Sequence, residues 1–165
     1  MLARKKSNIA YRATELLDPL PSWVDTARVL RAEDGWSIET LEGVECARDG
    51  DWLVEGEDGG YYPKSATVFS QDMEDVGDGY FIQRSAPMEC WPYCFEDSSR
   101  FPLWLRRAVE CGMVESNSVG SMTVHTSWGD QLATVGNDII MHRSDTDIYV
   151  CKRSVFEKSY CVLES

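Results

Sequence analysis

The sequence has no run approaching the roughly 20 apolar residues that a helix needs to cross a bilayer. Its basic stretch Arg4, Lys5, Lys6 leads into Ser-Asn-Ile-Ala-Tyr-Arg rather than into an apolar segment. Neither a membrane span nor an export signal is read, so a soluble, cytoplasmic protein is expected. Positive charge is also short: 16 Lys and Arg stand against 28 Asp and Glu, a net charge of -12 that repels a phosphate backbone. Direct nucleic-acid binding is disfavoured. Histidine occurs only as His125 and His142. There is no Gly-x-Ser-x-Gly elbow, P-loop, dinucleotide fingerprint or His-Glu-x-x-His. No catalytic constellation is legible, and no enzyme activity is expected.

What is present suits a folded domain. Of 165 residues, 43% are hydrophobic and 27% charged, close to the average for globular chains. The length allows one ordinary domain or two small ones. The acid is uneven, since residues 1–80 hold 17 acidic and 8 basic residues and residues 81–165 hold 11 and 8. With no export signal, the six cysteines (Cys46, Cys90, Cys94, Cys111, Cys151, Cys161) read as thiols rather than as a disulfide framework. Cys90 and Cys94 are the one close pair. A tetrahedral metal site built on them with His125 or His142 would normally need a second close pair, so neither a metal nor a cofactor is expected.

An internal repeat organises the chain. Pro21, Trp23, Ala27 and Leu30 answer Pro102, Trp104, Ala108 and Cys111 at an offset of 81 residues. Ile38–Gly43 answers Val124–Gly129, Gly50–Val54 answers 136–140, Tyr62 answers Tyr149, and Phe69 answers Phe156. Trp, Ala and an apolar residue at i, i+4 and i+7 predict a helix in each half, at 20–30 and 101–111. Before each helix stands a strand candidate, at 9–13 and at 80–83 or 88–91. Three strand candidates follow it: Trp36–Leu41, Asp51–Glu55 and Gly60–Pro63 in the first half, Met122–Thr126, Asp138–His142 and Asp147–Lys152 in the second. The fold class read is α+β: two tandem β-α-β-β-β modules, residues 1–76 and 77–165, with antiparallel sheets and one helix each. The Gly/Asp cluster at 75–79 is the expected hinge. Modules this small are expected to pack together as a pseudo-dimer.

Aromatic residues make up 11% of the chain. Trp23 and Trp104 read as core, and Trp52 reads first as hairpin packing. Neighbours on a strand point to opposite faces, so one of Tyr61 and Tyr62 faces outward or into a partner.

Ala3-Arg-Lys-Lys6, Thr40-Leu-Glu-Gly43, Gly50-Asp-Trp-Leu-Val-Glu-Gly56, Tyr62-Pro-Lys64 and Phe69 together resemble a family of small phage and prophage proteins. That family opens on an Arg-Lys-Lys segment and closes on a Gly-Asp-Trp hairpin with a Tyr-Pro and Phe ending. The second half resembles a degraded further copy, keeping Gly136, Asp138, Tyr149 and Phe156. The chain departs from the pattern at Ser7 and Asp49, where the family carries proline. The resemblance implies a phage or prophage origin and carries no activity with it.

The reading that follows is a phage-encoded, non-catalytic protein that binds and inhibits or modulates a bacterial host protein, such as an antiviral-defence component. Its candidate partner-binding residues are Trp52, Tyr61, Tyr62, Lys64, His142, Arg143 and Lys152. Three alternatives stand beside it. A sponge for a nucleotide signal would use Tyr62, Lys64, His142, Arg143 and Lys152. An acidic DNA mimic would use carboxylates between Glu33 and Asp58. A minor virion or assembly protein would self-associate.

Overall fold

The protein is described by a computed structural model covering residues 1–6, 8–84, 86–93, 97–117 and 119–164. It is an α+β chain dominated by short antiparallel strands. Two compact units form, one of Lys5–Ser85 and one of Met1–Arg4 with Ala86–Ser165.

The first unit contains β2 (Ala10–Glu15), β3 (Val29–Ala32), β4 (Gly35–Thr40), β5 (Gly43–Ala47), β6 (Trp52–Glu55), β7 (Tyr61–Lys64), α1 (Ala66–Asp72), β8 (Met73–Gly77) and β9 (Tyr80–Gln83). A five-stranded sheet runs β7-β6-β2-β9-β8, and β3-β4-β5 forms a separate meander. The α1 side of the large sheet carries a core of Tyr11, Ala13, Val54, Phe69, Met73 and Phe81. Ser65 caps α1 by accepting the Val68 amide.

The second unit takes β1 (Leu2–Lys5), apart from its last residue, from the start of the chain. It continues with β10 (Met88–Pro92), a 3-10 turn (Ser98–Arg100), α2 (Leu103–Glu110), β11 (Val114–Ser116), β12 (Ser121–Thr126), β13 (Gly129–Thr134), β14 (Asp138–Ser144), β15 (Asp147–Lys152), α3 (Arg153–Ser159) and β16 (Tyr160–Glu164). Its sheets read β15-β14-β10-β1-β16 and β11-β12-β13. One core gathers Trp104, Leu105 and Ala108 of α2 with Met122, Val124, Ile140 and Val150. Another gathers Phe156 and Tyr160 with Ala3, Cys90, Ile139 and Met141.

The six strands that follow the helix candidates fall within a residue or two of their expected positions, and three helical findings differ. Residues 20–30 form turns and the start of β3. The Asp25 carboxylate accepts the Ala27 amide at 2.9 Å and the Arg28 guanidinium at 3.1 Å, closing a turn in place of a helical ladder, and Val29–Ala32 pairs with β4. Among the described residues the helix of the first unit is α1, after β7, and the second unit carries two α-helices rather than one. The 75–79 cluster is the β8–β9 hairpin turn rather than a hinge, with Met73 to Gly77 paired against Tyr80 to Gln83. Gly35 is required where it stands. At φ +145° a Cβ would lie 2.2 Å from the Ala47 carbonyl oxygen.

Candidate functional site

Period-2 alternation in the β3-β4-β5 meander buries Val29, Trp36, Ile38, Glu45 and Ala47 on one face. The other face shows Leu30, Ser37 and Cys46 in a row across the three strands, with Glu39 opposite Val44 beside them. Leu30 is 52% and Val44 60% exposed. The corresponding face of β11-β12-β13 has a different chemistry: Glu115, Thr123 and Leu132 in one row and His125 opposite Asp130 in the next.

Of the seven candidate residues, four lie in the first unit and three in the second, and every one has partners inside its own unit. Trp52 stacks on Phe69 with ring centres 3.9 Å apart and meets Phe81 edge-on at 5.4 Å, which makes it a packing residue. Tyr61 is buried, its hydroxyl accepting the Asp25 amide at 2.9 Å, while the Arg28 guanidinium lies 4.2 Å from its ring centre. Tyr62 faces the other way and accepts from Lys5 Nζ at 3.1 Å. Lys64 pairs with Asp72 at 3.8 Å.

In the second unit His142 stacks on Trp104, 4.7 Å between ring centres and 6° between planes, with Glu89 at 3.3 Å and Asp145 at 3.2 Å. Arg143 pairs with Asp147 at 3.8 Å, and Lys152 reaches the fully buried Asp138 at 3.2 Å. The tyrosine pair thus resolves as alternation requires, but the buried member holds a loop rather than a partner.

Sequence reasoning missed the arrangement around Arg12. Its guanidinium pairs with Glu55 at 3.1 Å and lies 4.5 Å from the centre of the Trp23 ring. Cross-strand pairing sets Arg12 against Glu55, as it sets Glu89 against His142. Each unit therefore places a carboxylate and a cationic or ionisable nitrogen base across the same strand pair, with the base on a tryptophan and the two partners exchanged between strands. By position in the strand order His142 answers Glu55, whereas counting along the sequence sets it against Gly56. The recurring Trp23 and Trp104 were the available signal.

Carboxylates between residues 33 and 58 are unequally available. Asp49 pairs with Arg31 and accepts the Trp36 indole N–H at 2.8 Å, which with the arginine holds its carboxyl below the usual range. Asp51 accepts the Arg48 amide at 2.8 Å, Glu55 is engaged by Arg12, and Glu45 is buried.

Among the described residues no group of three or more His, Cys, Asp and Glu side chains could hold a metal ion. Cys94, half of the close cysteine pair, lies outside the described residues. Burial pushes the Cys90 thiol up to about 11, whereas Cys46 and Cys111 are exposed. At pH 8, iodoacetamide is expected to label Cys46 and Cys111 before Cys90 and Cys151, which react once the chain unfolds; peptide mapping over time checks that order.

His125 lies 2.6 Å from Asp130 and 3.3 Å from Glu115, and hydrogen bonding to Asp130 first and Glu115 second raises its pKa above the ordinary 6.5. A base held protonated by the fold stabilises it below the unfolded pKa, and that contribution is lost as pH rises through the raised folded value. The stability gap between the native chain and His125→Gln should therefore narrow from pH 6 to pH 8. Solvent screening keeps the gap small, and urea midpoints at the two pH values measure it.

No helix among the described residues is long and apolar enough to cross a membrane. Compared with known proteins, the chain matches no family model, and neither a curated protein nor a solved structure is similar to it.

Proposed function

We propose that the chain is a non-catalytic binding protein made of two diverged copies of one module, which acts by covering a surface of a bacterial host protein. The observation that carries this reading is a kept framework under a changed exterior. Thr40 Oγ1 donates to the Gly43 carbonyl at 2.7 Å and accepts the Glu42 amide, and Thr126 does the same with Gly129 and Trp128. Asp51 accepts the Arg48 amide as Asp138 accepts that of Thr134, and the Leu16 and Tyr93 amides donate to the Asp51 and Asp138 carbonyls. Glu45 and Gln131 are buried polar residues at matching places in β5 and β13.

The outward positions of the same strands differ in charge and polarity, Leu30 against Glu115 and Val44 against Asp130. Folding needs account for the first set; the second set is free to follow a partner. In this reading the two copies form a pseudo-dimer in which each opening strand completes the other copy's sheet, β1 beside β10 and β9 beside β2. Phage or prophage origin, cytoplasmic action and inhibition of an antiviral-defence component belong to the same proposal.

The alternatives have less support. For a nucleotide sponge, Lys64, His142, Arg143 and Lys152 already face carboxylates within their own units. For a DNA mimic, Asp49 and Glu55 are neutralised by arginines and Glu45 points into the core.

The test is recovery of the tagged full chain from a bacterial host, with mass spectrometry of the proteins and nucleotides that accompany it. One host protein at near-equal amount supports the proposal. A bound nucleotide moves the reading to the sponge, and self-association without a companion moves it to an assembly role.

A further inference from the structure

We propose that the outer face of β3-β4-β5 docks a basic protein segment that presents an aliphatic side chain between its Lys and Arg residues. This deepens the binding reading above and rests on it. The middle row of the face sets exposed Leu30 and Cys46 on either side of Ser37, and exposed Val44 stands beside Cys46 on β5. Strands about 4.8 Å apart make the Leu30–Ser37–Cys46 row roughly 10 Å wide, the footprint of a single buried anchor side chain. Around it stand carboxylates: Glu33 and Asp34 at the β3–β4 turn and Glu39 on the face itself, none of them in an ion pair among the described residues. Arg48 is the one exposed base at the end of β5, while Arg31, on the opposite side of the sheet, is held by Asp49.

Charge selects the occupant. The residues of this unit carry 17 acidic against 8 basic side chains. A second copy, a nucleic acid or an acidic protein would bring like charge to free carboxylates, whereas Lys and Arg on either side of an aliphatic side chain would satisfy both the carboxylates and the exposed Leu30, Cys46 and Val44. Electrostatic steering toward such a face weakens with salt.

Cys46 provides the probe. A benzophenone maleimide is attached to it in the full chain, with Cys94, Cys111 and Cys161 replaced by Ser, and irradiated in bacterial lysate; the control carries the label on Cys111 with Cys46→Ser. The expected adduct is a Lys- and Arg-rich segment of one protein, formed from Cys46 and not from Cys111. Its yield should fall at least about tenfold in Leu30→Asp, as for an interface hot spot, and in about 1 M salt, where the screening length is about 3 Å. Glu39→Lys should lower it without the apolar change. Because these side chains point to solvent, the variants should keep the parent's thermal midpoint.

An acidic adduct, an adduct with a second copy or with nucleic acid, or a yield indifferent to Leu30→Asp overturns the proposal. A host protein that stays bound to the tagged Leu30→Asp, Val44→Asp chain overturns this surface and leaves the binding reading standing. Absence of any bound host protein overturns both.

Discussion

Tyr61→Ala is expected to destabilise the first unit by about 3–5 kcal/mol, the range for truncating a buried aromatic side chain. Tyr61 is 2% exposed and does more than fill space. Its hydroxyl accepts the Asp25 amide at 2.9 Å and lies 3.4 Å from the Trp23 carbonyl, so one side chain holds the 21–28 turns against β7. Arg28 covers the ring and donates to the Gly59 carbonyl at 2.9 Å, tying the same turns to the β6–β7 hairpin. Tyr61→Phe keeps the ring and loses the hydroxyl, and should cost about 1 kcal/mol. Tyr62→Ala, at a half-buried position, should cost less than Tyr61→Ala. Urea unfolding of the three variants, with hydrogen exchange read at the Asp25 amide, separates ring from hydroxyl. A Tyr61→Ala chain within 1 kcal/mol of the parent would return Tyr61 to the surface role that the sequence suggests for a tyrosine pair on an edge strand.

What could be read in advance was local. β4, β7, β12 and β15 announce themselves by alternation, and β6 and β14 by short β-branched apolar runs, all bounded by turn residues, and the Glu57–Gly60 turn closes with the Gly56 amide on the Gly60 carbonyl at 2.7 Å. The 20–30 segment misleads because Trp23, Ala27 and Leu30 have helical spacing, while Asp25 closes a local turn on the Ala27 amide and the chain from Val29 pairs with β4. The matching segment has the same proline ahead of it but carries Arg106 where the first carries the turn-forming Asp25, and it forms α2, burying Trp104, Leu105 and Ala108. α1 and α3 are seven residues each, too short for periodicity to register, although Ser65 ahead of Ala-Thr-Val was a cap signal.

The face built on Leu30 and Val44 was hidden for a related reason. Once Leu30 is assigned to a helical stripe it reads as core, and only the strand register turns it outward. The cross-strand bases at Arg12 and His142 depend on pairing between distant segments, which no local pattern encodes.

The largest non-local feature gives the second strong prediction. β1 is four residues with two bases among them, a weak strand signal, yet it lies between β10 and β16 in the sheet of the second unit. Ala3 is fully buried there against Cys90, Met141 and Tyr160. The Cys90 amide donates to the Met1 carbonyl at 2.9 Å, and Cys161 Sγ approaches the Arg4 carbonyl at 3.3 Å. Deleting Leu2–Arg4 removes a central strand from its sheet, leaves β16 without its neighbour, and strips the ladder from one edge of β10. At about 1 kcal/mol for each lost backbone hydrogen bond, with the burial of Ala3 added, the deletion should cost about 3–5 kcal/mol.

The loss should fall on the far end of the sequence. Amides of 88–91, 139–151 and 160–163 should exchange faster, while those of 53–55, 61, 62 and 64, in a sheet where β9 holds the place that β1 holds in the other, keep their protection. Hydrogen exchange by mass spectrometry on the full chain and on the deletion decides between the two assignments. Accelerated exchange confined to residues near the new N-terminus would mean that β1 belongs to the unit it precedes, and the strand-exchanged tandem would fall with it. Acceleration in the second unit alone would establish that the opening strand of the chain stabilises its closing half.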